Sequence, residues 1–346
     1  MIARRATIGI LGDGQLGRML AQAAQRRGFV VHGFGQNTNS PLAQVTNCFT
    51  EASFEDVSAL SEFAGTCDVV TSEFENVSLV ALQTAGCKPS AHIFSIAQDR
   101  LKEKESAMKA GLNPAPYYSI DCFEDLKSAL CKTNGEGILK TRRLGYDGKG
   151  QWRISSATDL AELWKKTPKA ELILEGLISF KFETSVLVAR NSAGDVITFP
   201  CGENIHREGI LHQSVVPGKV TKEIQERAQR CGTDLANSLK LEGLLAIEFF
   251  VLGNGELVFN EMAPRPHNSG HWTIEACDQS QFDLAISALL SEPLREPVQL
   301  ANAIMTNVLG EDILTPETRN KCYWHDYGKQ TPKVGRKMGH ITELLT

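Results

Sequence analysis

Glu248 and Glu261 stand in two apolar runs, AIEFFV and LVFNEM. A carboxylate in an apolar segment costs free energy unless something compensates it. Between the runs lies Asn254-Gly255, a strong short sign of a hairpin closed by a two-residue type I′ turn. Such a turn sets Gly253 opposite Glu256 and, counting back along both strands, Glu248 opposite Glu261. Paired side chains have Cβ atoms roughly 5 Å apart, and like charges that close repel. Either one carboxyl keeps its proton or a divalent cation lies between the two. Donors that are all oxygen favour Mg2+, with Mn2+ or Ca2+ as alternatives, over zinc. Phe250 and Phe259 are expected on the same face, which argues against two glutamates simply facing water. A one-residue bulge would break the pairing.

The polar run RPHNSGHW follows at once and carries Arg265, His267, Asn268 and His271. Arginine can grip a phosphate or carboxylate through two N–H groups. Histidines four apart would suit zinc on a helix, but the Asn-Ser-Gly between these two predicts a loop. All four residues are read as substrate or phosphate ligands.

Other candidates lie upstream. In ILKTRRLGYDGKGQ, Lys140 sits on an apolar strand, and Gly145, Gly148 and Gly150 leave a loop over 145–151. Its amides can wrap phosphate, with Lys140 as a point charge; the alternative is a plain hairpin with basic residues. In ILEGL the strand ends at Glu175, and the backbone of Gly176 and Leu177 becomes free to read an adenine edge. GDGQLG, with Gly12, Gly14 and Gly17, matches GxGxxG between a strand and a helix. Its N–H groups either hold a phosphate or merely make a tight turn. A dinucleotide site also wants an acid after the second strand, and FVVHGFGQNTNS has none. Glu73, in SEFEN, ends another strand. Strand ends are where open α/β sheets bind ligands, so Glu73 either accepts hydrogen bonds from a ligand or lies in an exposed loop.

These groups need a scaffold. Through about residue 95, strand-like ATIGILG, FVVHGFG and CDVVTSEF alternate with helix-like QLGRMLAQAAQRRG and DVSALSEFAG, an open α/β unit. QDRLKEKESAMKAGL reads as a charged amphipathic helix ended by Gly111. Two strands flank the 145–151 loop, two more flank the break after Glu175, and a long helix runs through KEIQERAQRCGTDLANSLKL. SQFDLAISALLS is helical, and ANAIMTNVLG is a strand. The 346 residues are long for one core, since domains run to ~150 residues. Net charge is −5, the pI is near 6.0, and no Lys/Arg block occurs, which argues against nucleic acid and anionic membranes as partners. Nine cysteines without a CxxC pair fit a reducing compartment rather than a disulfide framework. Asp13 interrupts the first apolar run too early for a signal peptide, and no apolar stretch is long enough to span a bilayer. A soluble, cytoplasmic protein is expected.

Taken in order, GDGQLGRM, SEFEN, QDRLKEK, KTRRLGYDGKGQ, FNEMAPRPHNSGHWTIEAC with SQFD, and RKMGHIT resemble the ATP-grasp superfamily. Within it they resemble the 5-(carboxyamino)imidazole ribonucleotide synthetase family of purine biosynthesis, over nearly the whole chain. The resemblance implies an ATP-grasp fold, α/β and α+β. An N-terminal Rossmann-like domain would span 1–95, the ATP-grasp domain 96–290 and a small C-terminal domain 291–346. It implies carboxylation of 5-aminoimidazole ribonucleotide by bicarbonate and ATP through carboxyphosphate, giving ADP and phosphate. It also implies a homodimer.

Carried over by motif, Arg100, Lys140, residues 145–151 (Gly145, Tyr146, Asp147, Gly148, Lys149, Gly150, Gln151), residues 175–178 (Glu175, Gly176, Leu177, Ile178), Glu183, His206, Asn260 and Glu261 would contact ATP. Glu183 would hold the ribose hydroxyls, and Glu248 and Glu261 would carry Mg2+. Gln15, Leu16, Glu73, Asn76, Tyr146, Lys149, Arg265, His267, Arg336 and Lys337 would surround the aminoimidazole ribonucleotide and carboxyphosphate, together with Asn268 and His271. Carboxyphosphate hydrolyses in water, so a lid is needed, and 145–151 is the natural one. Asp147 is the candidate to accept the amine proton; Lys149, Arg265, His267 and Lys337 are the other candidates for the chemistry.

Two positions depart from the family pattern: Asp13, where glycine is common, and Leu144, before GYDG. A formate-dependent glycinamide ribonucleotide transformylase shares a related PRPH run. The HNSGH continuation and GDGQLGRM favour the carboxylating enzyme. A nucleotide-binding regulator without turnover would not need paired metal carboxylates, and an NAD-dependent oxidoreductase would need the missing ribose acid.

Overall fold

The alternation near the N-terminus produces a parallel sheet. In a computed structural model that describes residues 6–145, 150–168, 170–319 and 323–345, this sheet consists of β1 (Thr7–Leu11), β2 (Val30–Gly35), β3 (Cys48–Glu51) and β4 (Val69–Ser72). Its order is β3-β2-β1-β4. β1 is buried along its whole length, as expected of a central parallel strand. The helix Gln15–Arg26 buries Leu16, Met19, Leu20, Ala23 and Ala24, one stripe at helical spacing.

A second, antiparallel sheet holds β5 (Tyr117–Ile120), β6 (Gly137–Thr141), β7 (Gln151–Ile154) and β8 (Leu172–Gly176) in the order β5-β8-β6-β7. Helices Phe123–Lys132 and Leu160–Lys166 pack on it around Leu126, Leu139 and Leu174.

The central sheet has nine strands. They are β9 (Phe182–Arg190), β10 (Val196–Thr198), β11 (Gly202–Arg207), β12 (Ile210–Val216), β13 (Gly243–Val251), β14 (Leu257–Ala263), β15 (Asn302–Leu309), β16 (Trp324–Asp326) and β17 (Lys337–Leu345). The path runs β14-β13-β9-β11-β12-β15-β17-β16, with β10 beside β9. The segment from 291 therefore adds its strands to the central sheet through β12 and β15. One face of β13, with Leu245, Ile247 and Phe249, packs on the helix Lys222–Ser238. The other, with Leu244 and Ala246, joins a core shared with the N-terminal sheet and the helix Gln281–Leu289. Glu248 continues that second face, where the N-terminal and central units meet.

The hairpin β13–β14 differs from its expected form in two places. Its loop has three residues, not two: Leu252 N–H donates to Glu256 O at 2.9 Å, and Gly255 N–H to Leu252 O at 3.0 Å. Gly255 has φ +82°, the left-handed position that a three-residue hairpin loop reserves for glycine. Phe249 then pairs with Phe259, one residue out of the expected register. A bulge that leaves Asn260 unpaired restores it, and Glu248 pairs with Glu261 after all. Phe259 consequently lies on the opposite face from the glutamates, fully buried against Phe249; Phe250 stacks on Phe180 instead.

Candidate active site

Glu248 and Glu261 form the centre of the site. Glu248 is nearly enclosed, its side chain 12% exposed, while that of Glu261 is 42% exposed. Burial, and then the charge of Glu261, push the Glu248 carboxyl well above the usual carboxylate range. Two neighbours complete the oxygen-rich corner: donor atoms of Glu183, His206 and Glu248 all lie within 4.8 Å of one another. His206 Nδ1 is 3.3 Å from Glu183 Oε2. Burial would lower the His206 pKa, but Glu183 and then Glu248 outweigh it and raise it.

The helix Arg100–Lys109 supplies groups that motif reading overlooked. Glu103 and Lys104 are 2% and 1% exposed. Met262 N–H donates to Glu103 Oε1 at 2.6 Å, and Lys104 Nζ donates to Asn260 O at 3.3 Å. These two bonds bracket Glu261 and clamp the bulged edge strand β14, whose outer polar groups need partners. Burial and Glu261 push Glu103 up to about 8 in spite of Lys104 and Arg100. Arg100 Nη1 lies 3.2 Å from Glu261 Oε2, and its Nη2 donates to Gly145 O. Asp99, also overlooked, caps this helix and binds Arg142 and Arg143. The signal in the sequence was an acid ahead of a charged helix that nevertheless had to be buried.

Lys140 is held by Glu175 at 2.9 Å, and Lys104 binds the other oxygen of Glu175 at 3.1 Å. Burial opposes ionisation of Glu175, yet Lys104 and Lys140 outweigh it and hold its pKa at about 2. Gly176, expected to be free, still pairs with Gly137 in β8 and donates its N–H to Pro116 O at 2.8 Å; residues 177 and 178 leave the strand and stand outside regular pairing. Tyr146, Asp147, Gly148 and Lys149 lie outside the described residues. The flanks are described: Gly150 O accepts from Thr141 N–H, and Gln151 opens β7 opposite Lys140. Leu144 adopts φ +61° and is largely exposed, a conformation that glycine holds without strain.

The first glycine loop holds an anion, but one that belongs to the chain. Glu73 is 4% exposed. It accepts from the N–H groups of Gly14 and of Gly17, the latter at 2.7 Å. A Cβ on Gly12, Gly14 or Gly17 would press on this carboxylate. The phosphate expected there is thus replaced by Glu73, and Glu73 faces the loop rather than a ligand. Asp13 is tied to Gln36 N–H at 2.8 Å. Leu16 belongs to the core and not to a binding surface; Gln15 is half-buried at the helix start, and Asn76 is exposed.

Glu75, which sequence reasoning passed over, binds Arg265 directly. Burial opposes its ionisation, but Arg265 outweighs it and holds the carboxyl at about 2, against 4.5 ordinarily. A depressed carboxyl contributes stability that is present above its unfolded pKa and lost as pH falls toward the folded one. We expect Glu75→Gln to cost about 2 kcal/mol near neutral pH. In thermal melts the gap from wild type should shrink as pH falls from 4.5 to about 2. A gap independent of pH would show that the pair contributes no such term.

The run after β14 turns at a 3-10 helix, Asn268–Gly270, where a loop was expected. His267 and His271 part there. His267 Nε2 approaches Glu248 Oε1 at 3.3 Å. Burial, then Arg265 and Lys337, lower the His267 pKa to about 3. His271 is fully buried, stacked between Phe282 and His340, with Nδ1 3.0 Å from Gln281 Nε2. It is a core histidine and not a surface ligand. The Asn268 amide is buried with both its oxygen and its nitrogen unpartnered, as a ligand contact would leave it. Arg336 donates to Thr331 O, and Lys337 opens β17, close enough to lower the His267 pKa.

Comparison with known proteins agrees with this layout. Residues 105–282 match the ATP-grasp domain family, residues 5–98 the ribonucleotide synthetase preATP-grasp domain, and residues 303–346 the phosphoribosylaminoimidazole carboxylase C-terminal domain. The chain is 42% identical over 348 residues to an N5-carboxyaminoimidazole ribonucleotide synthase of Brucella melitensis, covering 98% of this chain and 96% of that one. With the Bacillus subtilis enzyme of that name it shares 40% identity, covering 97% and 91%. The structure superposes on an ADP complex of an N5-carboxyaminoimidazole ribonucleotide synthetase with a TM-score of 0.94 at 41% identity, over 100% and 94% of the two chains. It superposes on the Aspergillus clavatus N5-carboxyaminoimidazole synthase in complex with ADP and 5-aminoimidazole ribonucleotide with a TM-score of 0.90 at 29% identity, over 99% and 94%.

Proposed function

Because the chain belongs to the N5-carboxyaminoimidazole ribonucleotide synthase family of ATP-grasp enzymes, we propose that it carboxylates the exocyclic amine of 5-aminoimidazole ribonucleotide with ATP and bicarbonate. The observation that carries this reading is the pairing of Glu248 with Glu261, beside Arg265 and His267 on one side and Arg100 on the other.

Bicarbonate attacks the γ-phosphoryl group of ATP. Carboxyphosphate forms, ADP leaves, and the carboxyphosphate breaks down to CO2 and phosphate. The exocyclic amine captures the CO2 and loses a proton. Mg2+ fits the carboxylate pair: the donors are oxygens, and the burial and repulsion that together raise the Glu248 pKa are what a cation would offset. Glu248 and Glu261 would hold it, and Mn2+ would fit the same donors. When bound it supplies charge that offsets the developing charge on the phosphates. Lys140 and Arg265 bring fixed positive charge to the same end. Arg100, the 145–151 and 175–178 segments, Glu183, His206 and Asn260 would hold the nucleotide. Arg265, His267, Asn268, Arg336 and Lys337 would face the second substrate, with the exposed Asn76 at its rim. Asp147 would take the amine proton under a lid formed by 145–151.

A division at 1–95, 96–290 and 291–346, a homodimer and a cytoplasmic setting complete the reading. Among the described residues no helix is long and apolar enough to cross a membrane.

The test is phosphate release from ATP. It should require bicarbonate and aminoimidazole ribonucleotide together. Release that depends on formate and glycinamide ribonucleotide would overturn the proposal.

A further inference from the structure

A row of buried polar side chains crosses the central sheet and ends on His267. Ser214 Oγ–H on β12 donates to Asn204 Oδ1 on β11 at 2.9 Å. Asn204 Nδ2–H donates to Ser185 Oγ on β9 at 3.0 Å, and Ser185 Oγ–H donates to Ser269 Oγ at 2.7 Å. Ser269 Oγ lies 2.8 Å from His267 Nδ1. The four side-chain donors are enclosed: Ser214 0%, Asn204 5%, Ser185 6% and Ser269 3% exposed. A fully satisfied polar row in a sheet interior fixes geometry that an apolar core would leave free.

The row has a direction. Ser185 gives its proton to Ser269, so the Ser269 hydroxyl proton is left for His267 Nδ1. A second contact makes the same assignment without any choice of hydroxyl or amide orientation. The backbone N–H of Ser269 also donates to His267 Nδ1, at 3.4 Å, and a backbone N–H can only donate. Nδ1 is therefore an acceptor, and the ring proton resides on Nε2, the nitrogen 3.3 Å from Glu248 Oε1. We propose that the Ser214–Asn204–Ser185–Ser269 row is a positioning device that locks His267 as the Nε2–H tautomer, so that His267 presents a fixed donor to the reacting end of the site and not a base. The role in the reaction rests on the function proposed above; the tautomer does not.

The experiment is nitrogen NMR of the full chain labelled at histidine, with the His267 signals assigned by their loss in His267→Gln. Wild type at neutral pH should show a pyridine-type Nδ1 and a protonated, pyrrole-type Nε2. Ser269→Ala removes the 2.8 Å hydroxyl contact and leaves only the longer backbone N–H on Nδ1, so both signals should move part of the way toward a tautomer mixture. It should lower kcat about tenfold, as loss of an orienting partner does, while the KM for ATP stays within about twofold. Protonation at Nδ1 in wild type, or unchanged signals and kcat in Ser269→Ala, would overturn the proposal. If Ser269→Ala does not fold, the wild-type spectrum decides alone. Wild type with the Nε2–H tautomer but no bicarbonate-dependent turnover would sink the functional reading and leave the tautomer assignment standing.

Discussion

Replacing Glu248 with glutamine is expected to stabilise the metal-free protein and to lower Mg2+-dependent turnover about a thousandfold, the upper range for losing one preorganised electrostatic group. The two effects have one origin. Glu248 is buried opposite Glu261, and that burial and repulsion raise its pKa. A raised carboxyl contributes fully below its unfolded value of 4.5 and loses that contribution as pH climbs through the folded value. Metal-free wild type should therefore lose stability as pH rises above 4.5, and the glutamine variant should lose less. Turnover moves the other way because the neutral amide is a poorer ligand for a hard cation. Thermal melts with and without Mg2+·ATP, beside phosphate-release rates, test both halves. A variant within a few-fold of wild-type turnover at saturating Mg2+ would remove Glu248 from the metal site.

Glu103 carries the second large expectation. Glu103→Ala leaves the buried Met262 N–H without its acceptor and takes away one of the carboxyls near Lys104, which keeps Glu175. A loss of about 3 kcal/mol is expected from a broken buried polar network. The strand that carries Glu261 is also freed at its outer edge, so the Mg2+ concentration for half-maximal turnover should rise. Glu103→Gln should be mild, within about 1 kcal/mol. With its pKa raised to about 8, the carboxyl is mostly protonated at neutral pH, and the amide keeps the oxygen that accepts from Met262. Equal losses in the two variants would show that charge at position 103, and not the bond to β14, is what the fold requires. Urea unfolding and a Mg2+ titration of turnover give the two readouts.

Much of this site was legible because its residue types are costly anywhere else. Two acids in apolar runs, an arginine and histidines after a strand, and a lysine on a buried strand each pointed to a ligand before any fold was known. The helix 100–109 was legible as a helix but not as a clamp. Its charges read as a solvated face, and only the central sheet, built some 150 residues later, buries Glu103 and Lys104. Glu73 misled for a related reason. A glycine loop asks for an anion, and nothing local says that a strand 56 residues on supplies it. His271 shows the limit of spacing alone. It lies four residues from His267, but the turn at 268–270 sends it into the interior.

The hairpin offers a different kind of consequence. A two-residue turn with an unbroken ladder and a three-residue turn with one bulge both bring Glu248 opposite Glu261, and the chain between the carboxylates has the same length either way. Which face Glu261 occupies is thus a matter of parity, because side chains alternate with a period of two. The odd loop at Gly253–Gly255 and the odd residue Asn260 cancel. Removing one residue from the loop alone, or one from the bulge alone, changes the spacing that both solutions share. Moving a residue from one to the other preserves it. Homologous hairpins should therefore tolerate loop and bulge changes as matched pairs, and a single insertion between the two glutamates should be rare among active enzymes.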